Sequence, residues 1–515
     1  MNQPRRINAR VFRFDPQRDS SPHYDEYRLE VEGVTKVLEL LDLIYQKYDP
    51  TLAYRSSCRS GKCGVCSVRM NGRAVLACRE TVPEGTILIE PLDLYPVLRD
   101  LIVDRGLYDQ RVAEMAAVTA EAEAGKASEG WERLDVQAYE KLAACIECLL
   151  CDSTCPVLAL SSKDYGGPAL FRYDAFLEAD RRRVRGGLTL SERLHLDHCS
   201  TCKACTEVCP KEVEVFDDAI LPLRRRTSFQ ERLPEMQKDY ARVIRETGSL
   251  FTPYRVPLKE QLPEVVTPEE VREEVIFFPG CMINMRFQAA GKALVRVLSS
   301  LGVKVHFPRE MTCCGGPLHW TGQEEGFEEI ASRNIDIFER TGISTLVVAC
   351  AGCGMTLKKD YRKLFEAEGR KGLALYDFTE YLERLRPTFR PGNESVLRVT
   401  YHDPCHLRRG QEIWGEPRRL LKALPNVKFV ELKDSGRCCG GMLGTVNRDL
   451  SSALARQKAE AIIEADVEAV VTECPFCKDM ISKALKKENK RIPVYIVAEL
   501  IEELYGESSK SHPSR

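Results

Sequence analysis

The sequence contains no apolar run that approaches the roughly 18 residues of a membrane-spanning helix. Its N-terminus leads into alternating strand-like sequence and has no apolar region typical of an export signal. An excess of charge of one sign is also missing, because 75 basic and 77 acidic residues give a net charge of −2. These absences argue against a membrane-spanning chain, an exported chain and a polybasic surface for nucleic acid or lipid. We therefore expect a cytoplasmic protein.

Cysteine, in contrast, is abundant. The 515 residues exceed what one hydrophobic core usually serves, and they include 22 cysteines. In a reducing cytoplasm, so many cysteines are better explained as metal ligands or redox groups than as disulfides. Their clustering supports this interpretation, because every cysteine belongs to one of the motifs described below.

The C-terminal half contains one five-cysteine pattern twice. In each copy a single cysteine is followed by a Cys-Cys-Gly sequence and then by a Cys-x2-Cys pair. Matching cysteines are 124 or 125 residues apart, which indicates a duplicated domain rather than a solenoid. The two sets are Cys281, Cys313, Cys314, Cys350 and Cys353, and then Cys405, Cys438, Cys439, Cys474 and Cys477.

Near the N-terminus, Cys58, Cys63 and Cys66 form a Cys-x4-Cys-x2-Cys loop, and Cys78 follows a hairpin signal. This is the plant-type spacing for a [2Fe–2S] cluster. Glycines within the loop let its backbone N–H groups approach the sulfur atoms. A zinc site is the alternative, but structural zinc sites usually arrange their thiolates as two short knuckles.

Two further runs share the spacing Cys-x2-Cys-x2-Cys-x3-Cys-Pro, which is typical of bacterial two-cluster ferredoxins. In that arrangement the fourth cysteine of each run ligates the other cluster. The spacing therefore assigns one cubane [4Fe–4S] cluster to Cys145, Cys148, Cys151 and Cys209, and the other to Cys155, Cys199, Cys202 and Cys205.

In this order, the three clusters resemble the iron–sulfur subunit of the succinate dehydrogenase/fumarate reductase family. The resemblance covers roughly residues 1–240 and includes the segments 54–58, 76–78 and 95–97. Most members lack a cysteine at the position of Cys202 and hold a [3Fe–4S] cluster close to a quinone site. With Cys202 present, we expect a complete [4Fe–4S] cluster and have less reason to expect a quinone site.

Apolar periodicity predicts strands at residues 7–15 and 27–33, a helix at 37–48 and a helical region that opens within 94–105. In each C-terminal repeat a strand precedes every cysteine group. Strands alternate with helices there, so we expect small parallel sheets with all five cysteines at one edge. Residues 119–130 have the composition of a solvated linker or of a weak helix end.

The predicted fold class is a multidomain α+β and α/β chain. We expect a β-grasp [2Fe–2S] ferredoxin domain, an α-helical two-cluster [4Fe–4S] domain and two small α/β cysteine-rich domains. The predicted divisions are residues 1–105, 106–250, a proline-containing linker at 251–274, 275–392, 393–505 and a disordered tail at 506–515.

Adjacent cysteines rarely bind one zinc ion together, because their side chains diverge, and five thiolates exceed what zinc or a cubane needs. The repeated pattern resembles the cysteine-rich domains of the heterodisulfide reductase catalytic subunit. That resemblance implies one non-cubane [4Fe–4S] cluster in each complete set, with the substrate disulfide between the two clusters. The alternative is that both domains only relay electrons.

Three histidines lie close to these cysteines in the sequence. His402 and His406 flank Cys405, and His319 follows the first Cys-Cys pair. Each is able in principle to move thiol protons. Since a histidine beside a cluster more often donates a supporting hydrogen bond, we assign none of them a catalytic role.

The combination of the two halves resembles the thiol:fumarate reductase family of methanogens. This implies oxidation of coenzyme M and coenzyme B thiols to the heterodisulfide and reduction of fumarate to succinate. The chain shows no Gly-x-Gly-x-x-Gly after a strand and no phosphate loop. The resemblance therefore implies that a separate flavoprotein subunit carries FAD and receives electrons through the [4Fe–4S] and [2Fe–2S] clusters.

Two other functions fit part of the sequence. One is the electron-transfer subunit of a quinone-linked succinate dehydrogenase, with a cysteine-rich half that docks to the membrane through an amphipathic helix. The other is an iron–sulfur subunit for glycolate or lactate oxidation, which explains the repeat but leaves the Cys58 to Cys78 domain unexplained.

Overall fold

The computed structural model describes residues 5–120, 133–180, 190–367, 369–370, 372–389 and 395–505. These residues form two compact units. The first comprises the described residues within 1–199 and 203–229, and the second comprises those within 200–202 and 230–515. Positions 121–130 of the predicted linker, the predicted boundary at 392/393 and the predicted tail lie outside the described residues. No helix of the described part is long and apolar enough to cross a lipid bilayer.

The first unit begins with a five-stranded mixed sheet in the order β2-β1-β5-β3-β4. Strand β1 pairs antiparallel with β2 and parallel with β5. Alternate residues of β1, namely Ile7, Ala9 and Val11, are buried in the core that this sheet shares with the helix Val37–Lys47, as period-2 alternation predicts. The strands of this unit are β1 Arg5–Arg13, β2 His23–Val31, β3 Ser67–Met70, β4 Arg73–Leu76, β5 Gly85–Glu90, β6 Val97–Arg99 and β7 Ile102–Val103.

Short helices dominate the rest of this unit. Cys151 and Cys205 lie on two of these helices, and the other cysteines of the two four-cysteine runs lie in the segments between helices. A π-helical turn at Val215–Ile220 packs against α5. The helices are α1 Val37–Lys47, α2 Gly106–Ala120, α3 Arg133–Ala143, α4 Leu150–Ser153, α5 Pro168–Ala179, α6 Leu190–Arg193, α7 Ala204–Glu207, α8 Leu221–Arg224 and α9 Thr227–Gln230.

The prediction of a helical region opening within residues 94–105 is wrong. Strands β6 and β7 form an antiparallel hairpin there, and helix α2 starts only at Gly106. Asp100 occupies the turn with a φ of 45°, and its buried carboxylate accepts hydrogen bonds from Arg13 Nε (3.1 Å), Phe14 N (2.9 Å) and Ala53 N (2.8 Å). These distant partners fix the turn, so tertiary hydrogen bonds override the local apolar spacing.

The second unit contains two sheets of matching topology. The first has the order β12-β11-β9-β10-β8, and the second has the order β16-β15-β13-β14. All pairs are parallel except β8 with β10. The strands are β8 Val265–Val266, β9 Glu273–Phe278, β10 Val303–His306, β11 Thr345–Val348, β12 Ala374–Asp377, β13 Leu397–Tyr401, β14 Val427–Val430, β15 Ala469–Thr472 and β16 Val494–Ile496.

Helices cover these sheets, and the segment 251–274, predicted as a linker, is part of the packing. Leu258 on α12 is fully buried, and β8 adds an edge strand. The helices are α10 Glu235–Lys238, α11 Tyr240–Thr247, α12 Leu258–Gln261, α13 Gly280–Met285, α14 Gln288–Ser300, α15 Gly316–Trp320, α16 Glu324–Thr341, α17 Ala351–Met355, α18 Arg362–Ala367, α19 Phe378–Leu385, α20 Cys405–Arg408, α21 Gly415–Ala423, α22 Arg448–Glu464, α23 Pro475–Lys487 and α24 Val497–Tyr505.

Candidate functional site

The N-terminal cysteine loop brings its four thiols together. Its backbone turns through positive φ angles at Arg59, Gly61 and Gly64, so that backbone N–H groups point at sulfur. Cys58 Sγ accepts hydrogen bonds from Lys62 N (3.2 Å) and Ser60 N (3.5 Å), and these donors lower the pKa of the Cys58 thiol to about 6. The remaining thiols adjoin it: Cys63 contacts Cys58, and Cys66 contacts Cys78. A loop of four thiols with N–H donors fits a [2Fe–2S] cluster.

This loop lies directly against the first four-cysteine run. The single hydroxyl hydrogen of Ser67 is shared between the carbonyl oxygens of Cys148 and Gly64, which lie 2.8 Å and 2.9 Å from Oγ. A Cβ atom on Gly64 would lie 2.5 Å from the carbonyl oxygen of Ile146, and Gly64 has a φ of +69°. Gly64 therefore permits the close approach of two segments that carry cysteines of different predicted clusters.

We expect Gly64→Ala to lower the thermal unfolding midpoint of the first unit more than Gly85→Ala does. Both residues have positive φ angles, so either alanine adds backbone strain of about 1–3 kcal/mol. Only Gly64 has neighbours within 4 Å of an added Cβ, which adds an overpacking cost of about 1–3 kcal/mol. Equal midpoints for the two variants, measured calorimetrically on anaerobic protein, would contradict the close approach.

A cavity of about 420 Å³ in the first unit is lined by one of the two predicted cubane sets. The set combines three cysteines of the first run with the last cysteine of the second run. Its members are Cys145, Cys148, Cys151 and Cys209. Burial raises the pKa values of the Cys145, Cys148 and Cys151 thiols, so these sulfurs favour the thiolate only with a cation nearby. Four thiols around a largely apolar cavity fit a [4Fe–4S] cluster.

Three members of the second predicted set lie near one buried phenol, that of Tyr165. The pKa of Tyr165 is raised by its burial and then by the nearby thiols of Cys199, Cys155 and Cys205. The fourth member, Cys202, belongs to the short segment 200–202 that packs with the second unit, and its thiol contacts that of Cys438.

Both four-cysteine runs wind in the same way. The residues two and four positions after the first cysteine have positive φ, namely Glu147 and Leu149 in one run and Thr201 and Lys203 in the other. This repeated backbone conformation is unusual for residues other than glycine. It turns each run around a central point and gives both runs the same arrangement of thiols.

In the second unit, all ten cysteines of the two five-cysteine sets line a single cavity of about 600 Å³. In the first set, Cys281 Sγ lies 3.8 Å from Cys313 Sγ, and Cys314 contacts Cys353. Gly280 is required beside them, because a Cβ there would lie 2.6 Å from Cys353 Sγ.

The second set has the same construction and contacts the first. Cys439 Sγ lies 3.3 Å from Cys477 Sγ, and Cys438 contacts Cys405. The two sets meet where the thiols of Cys350 and Cys474 contact each other. Ten thiols with few other polar groups around one cavity form a donor set for iron–sulfur clusters rather than for zinc.

The walls of this cavity are mostly apolar or aromatic. Trp320, Met442 and Phe476 contribute to them, and the Trp320 ring lies 4.6 Å from the His406 ring. His406 Nε2 lies 3.0 Å from the carbonyl oxygen of Thr201 and 2.9 Å from its hydroxyl. No pattern in the sequence indicates these walls, because their position depends on how the two repeats pack.

The other two histidines occupy different surroundings. His319 is buried away from the cavity lining, and its Nδ1 lies 3.1 Å from Glu324. His402 is completely buried, and one ring nitrogen lies within 4.8 Å of Cys439 Sγ and Cys477 Sγ. Burial lowers the pKa of His402, so its ring is neutral.

A buried lysine near His402 was not predicted from the sequence. Lys458 is 1% exposed, and its ammonium group donates hydrogen bonds to the carbonyl oxygens of Asp434 and Ser435. Burial lowers its pKa to about 8, while Asp434 and Cys439 act in the opposite direction. A lysine on an otherwise amphipathic helix α22 resembles an ordinary surface residue, so only the fold reveals its position.

Comparison with protein families assigns each cysteine group to a domain type. Residues 8–110 match a 2Fe-2S iron-sulfur cluster binding domain, and residues 140–213 match a 4Fe-4S dicluster domain. A cysteine-rich domain matches twice, at residues 275–358 and 399–482. The chain is therefore a multidomain iron–sulfur protein of the kind that transfers electrons in oxidoreductases.

Two curated relatives are similar over most of the chain. A fumarate reductase (CoM/CoB) subunit of Methanothermobacter marburgensis is 38% identical over 97% of this chain and 100% of the relative. A dihydromethanophenazine:CoB–CoM heterodisulfide reductase subunit of Methanosarcina barkeri is 28% identical over 72% of this chain and 95% of the relative. These matches confirm the resemblances of both halves.

Among solved structures, a hypothetical protein from Helicobacter pylori has a TM-score of 0.63 at 14% identity, covering 98% of this chain and 95% of that one. That likeness concerns the fold alone. The sequence relationship is more specific, since it spans the cysteine motifs of both halves. By that similarity, the chain belongs to the family of the cysteine-rich fumarate reductase (CoM/CoB) subunit found in Methanothermobacter marburgensis.

Proposed function

We propose that this chain is the iron–sulfur subunit of a fumarate reductase that oxidises coenzyme M and coenzyme B thiols to their heterodisulfide. In this proposal a partner subunit carries FAD and reduces fumarate to succinate. The observation that carries it is the single cavity lined by all ten cysteines of both repeats, with the two sets in contact at Cys350 and Cys474. A relay domain would need no cavity shared between its sites.

The proposed reaction balances without another oxidant. Two thiols lose two protons and two electrons as one sulfur–sulfur bond forms. Fumarate takes up two electrons and two protons to become succinate. Two duplicated sites suit a donor pair that releases two electrons one at a time.

For the cluster ligands, we propose the assignment of cysteines that the sequence predicts. The N-terminal β-grasp domain would hold the [2Fe–2S] cluster, the crossed four-cysteine sets two cubanes, and the five-cysteine sets two non-cubane [4Fe–4S] clusters. When bound, these clusters supply one-electron acceptors at the thiol site and one-electron carriers beyond it.

The cavity walls would orient the thiols and limit water. Trp320 and Phe476 offer aromatic faces to the carbon chains of the substrates. Apolar walls also strengthen the electrostatic interactions of a bound thiolate, because the local dielectric constant is low.

His406 is positioned to accept a thiol proton. Its Nε2 faces the carbonyl oxygen of Thr201 at 3.0 Å, and a carbonyl only accepts hydrogen bonds, so Nε2 carries the proton. In the neutral ring with this tautomer, Nδ1 is the unprotonated nitrogen. Nδ1 faces Gly352, because a Cβ atom added to that glycine would lie 3.5 Å from it. Gly352 lines the cavity, so Nδ1 is on the cavity side of the ring.

The proposal is tested by co-producing the chain with a fumarate-reductase-type flavoprotein and assaying the anaerobic complex. We expect fumarate-dependent thiol loss only when both coenzyme M and coenzyme B thiols are present, with one succinate formed for each heterodisulfide. A reduced quinone analogue should support less than about a tenth of that rate, a difference of about 1.4 kcal/mol in transition-state free energy. Preference for the quinol would overturn the proposal and favour the membrane-linked alternative.

A further inference from the structure

We propose that the two five-cysteine sites are electrically unequal, and that His402 and Lys458 make the second site the easier of the two to reduce. This inference rests on the proposed function, since it assigns an order to the two electron acceptors. It concerns residues of the second repeat that have different counterparts in the first.

The counterpart of His402 is Phe278. The two residues are 124 residues apart, the same offset as Cys281 and Cys405. Phe278 is the last residue of β9, and His402 directly follows the last residue of β13. Phe278 packs edge to face against Phe338 and has no polar atom to offer. His402 is buried to the same degree, but its ring faces the sulfur atoms of Cys439 and Cys477.

His402 has no competing partner. Among the described residues, no atom, sulfur included, meets hydrogen-bond geometry with either of its ring nitrogens. A neutral imidazole always carries one N–H group, and a buried N–H without an acceptor destabilises the fold. The sulfur of Cys439 is the acceptor that the ring faces. Donation to this sulfur would give the buried N–H its acceptor and would explain why a histidine is buried here.

The counterpart of Lys458 is Asn334, again at an offset of 124 residues. The surrounding contacts support this correspondence. A Cβ on Gly440 would touch Ser451 and Leu454, and a Cβ on Gly315 would touch residues 124 positions earlier, Phe327 and Ile330. Helices α22 and α16 thus present equivalent faces to the two Cys-Cys-Gly segments.

Asn334 and Lys458 have the same structural role in their repeats, but they differ in charge. Asn334 accepts from Thr312 N (3.0 Å) and donates to the carbonyl oxygen of Cys313 (2.9 Å), which ties α16 to the first cysteine pair. Lys458 ties α22 to the segment before the second pair. The amide is neutral, whereas the ammonium group brings a positive charge close to Cys439 and His402.

Both differences act in the same direction. Reduction adds negative charge to a thiolate-bound cluster, and hydrogen bonds to sulfur and nearby positive charge stabilise that added charge. A buried charge is weakly screened by water and salt, so its effect reaches the cysteine sulfurs. The first site has Phe278 and Asn334 in these places and receives neither contribution.

The second site, which we propose is the easier to reduce, is also the one whose cysteines contact a residue of the second four-cysteine run. Cys438 of the second set contacts Cys202, and Arg409 donates a hydrogen bond to the carbonyl oxygen of Cys202 at 3.3 Å. An electron that moves to the more easily reduced second site therefore moves toward a cysteine predicted to ligate a cubane. The duplication supplies two acceptors, and the two substitutions order them.

The test is a redox titration of the intact complex followed by electron paramagnetic resonance. Cys313→Ala and Cys438→Ala variants identify which signal belongs to which site. We expect His402→Phe, which copies the first repeat, to change the ratio of reduced to oxidised second site at a fixed potential at least tenfold, ~59 mV for a one-electron couple. His402→Gln keeps an N–H donor and should restore part of the shift.

Lys458→Asn should shift the second site in the same direction, and the first site serves as the reference within each molecule. Phe278→His should raise the midpoint of the first site instead. Unchanged second-site midpoints in both His402→Phe and Lys458→Asn, or equal shifts at both sites, would overturn the inference. Normal iron content in each variant excludes misfolding as the cause.

If these variants lose iron, the inference is tested on the protein in which His402 and Lys458 are unaltered. With ¹⁵N-labelled histidine, the reduced second site should show a weak nitrogen hyperfine coupling and an exchangeable proton coupling. Absence of both couplings, or a strong coupling typical of a nitrogen bound to iron, would overturn the hydrogen-bond role. If the midpoint shifts occur but thiol oxidation fails, the proposed function is refuted and the inequality of the two sites still holds.

Discussion

Replacement of Cys438 by alanine should reduce thiol oxidation by the assembled complex by more than about a hundredfold, since even changes to supporting residues around a metal site cost 10- to 100-fold. Cys438 lies within the ten-cysteine cavity and contacts both Cys405 and Cys202. Cys438 is buried, so water has little access to the position that its thiol occupies. Cys313→Ala should have an equally large effect in the first repeat.

Fumarate reduction driven by an artificial dye should survive the same change. The dye delivers electrons to the partner or to the N-terminal domains, whose cysteines, apart from Cys202, belong to the first unit. Met442→Ala is the matched control, because Met442 lines the same cavity but is not a predicted ligand. We expect it to alter the apparent affinity for thiols and to leave the iron content unchanged. Loss of the dye activity in Cys438→Ala, with the upstream clusters intact, would refute this division of labour.

The parts of this protein that could be predicted from sequence are those set by local spacing. Alternating Ile7, Ala9 and Val11 predict a half-buried strand, because side chains on a strand point alternately to its two faces. Local apolar patterning also predicts the strands before Cys281 and Cys405, and parallel pairing then places the ends of neighbouring strands at one edge.

The features that escaped prediction depend on distant residues. Asp100 turns the chain at residues 97–103 because Arg13 and the backbone of Ala53 bind its carboxylate. The local sequence around Asp100 does not indicate those partners. Likewise, the sequence shows that Lys458 and Asn334 differ, but only the fold places the lysine near Cys439.

Replacement of Cys202 by alanine should convert one [4Fe–4S] cluster to a three-iron cluster and remove one iron per chain. Cys202 is the cysteine by which this sequence departs from most members of the succinate dehydrogenase/fumarate reductase family. A cubane needs one thiolate for each iron, and the iron that loses its protein ligand is the one that dissociates. Iron analysis and electron paramagnetic resonance of the oxidised variant measure both effects.

Thr201→Ala is the matched control for this change. Its side-chain contact with His406 is lost, but the backbone carbonyl that holds His406 Nε2 remains, and every cysteine is kept. We expect a complete four-iron cluster in this variant.

Unchanged iron content in Cys202→Ala, with no three-iron signal, would mean that Cys202 does not ligate a cubane. Its contact with Cys438 would then indicate a role at the ten-cysteine cavity instead. Because that contact lies on the proposed electron route, Cys202→Ala should also slow thiol oxidation and spare dye-driven fumarate reduction.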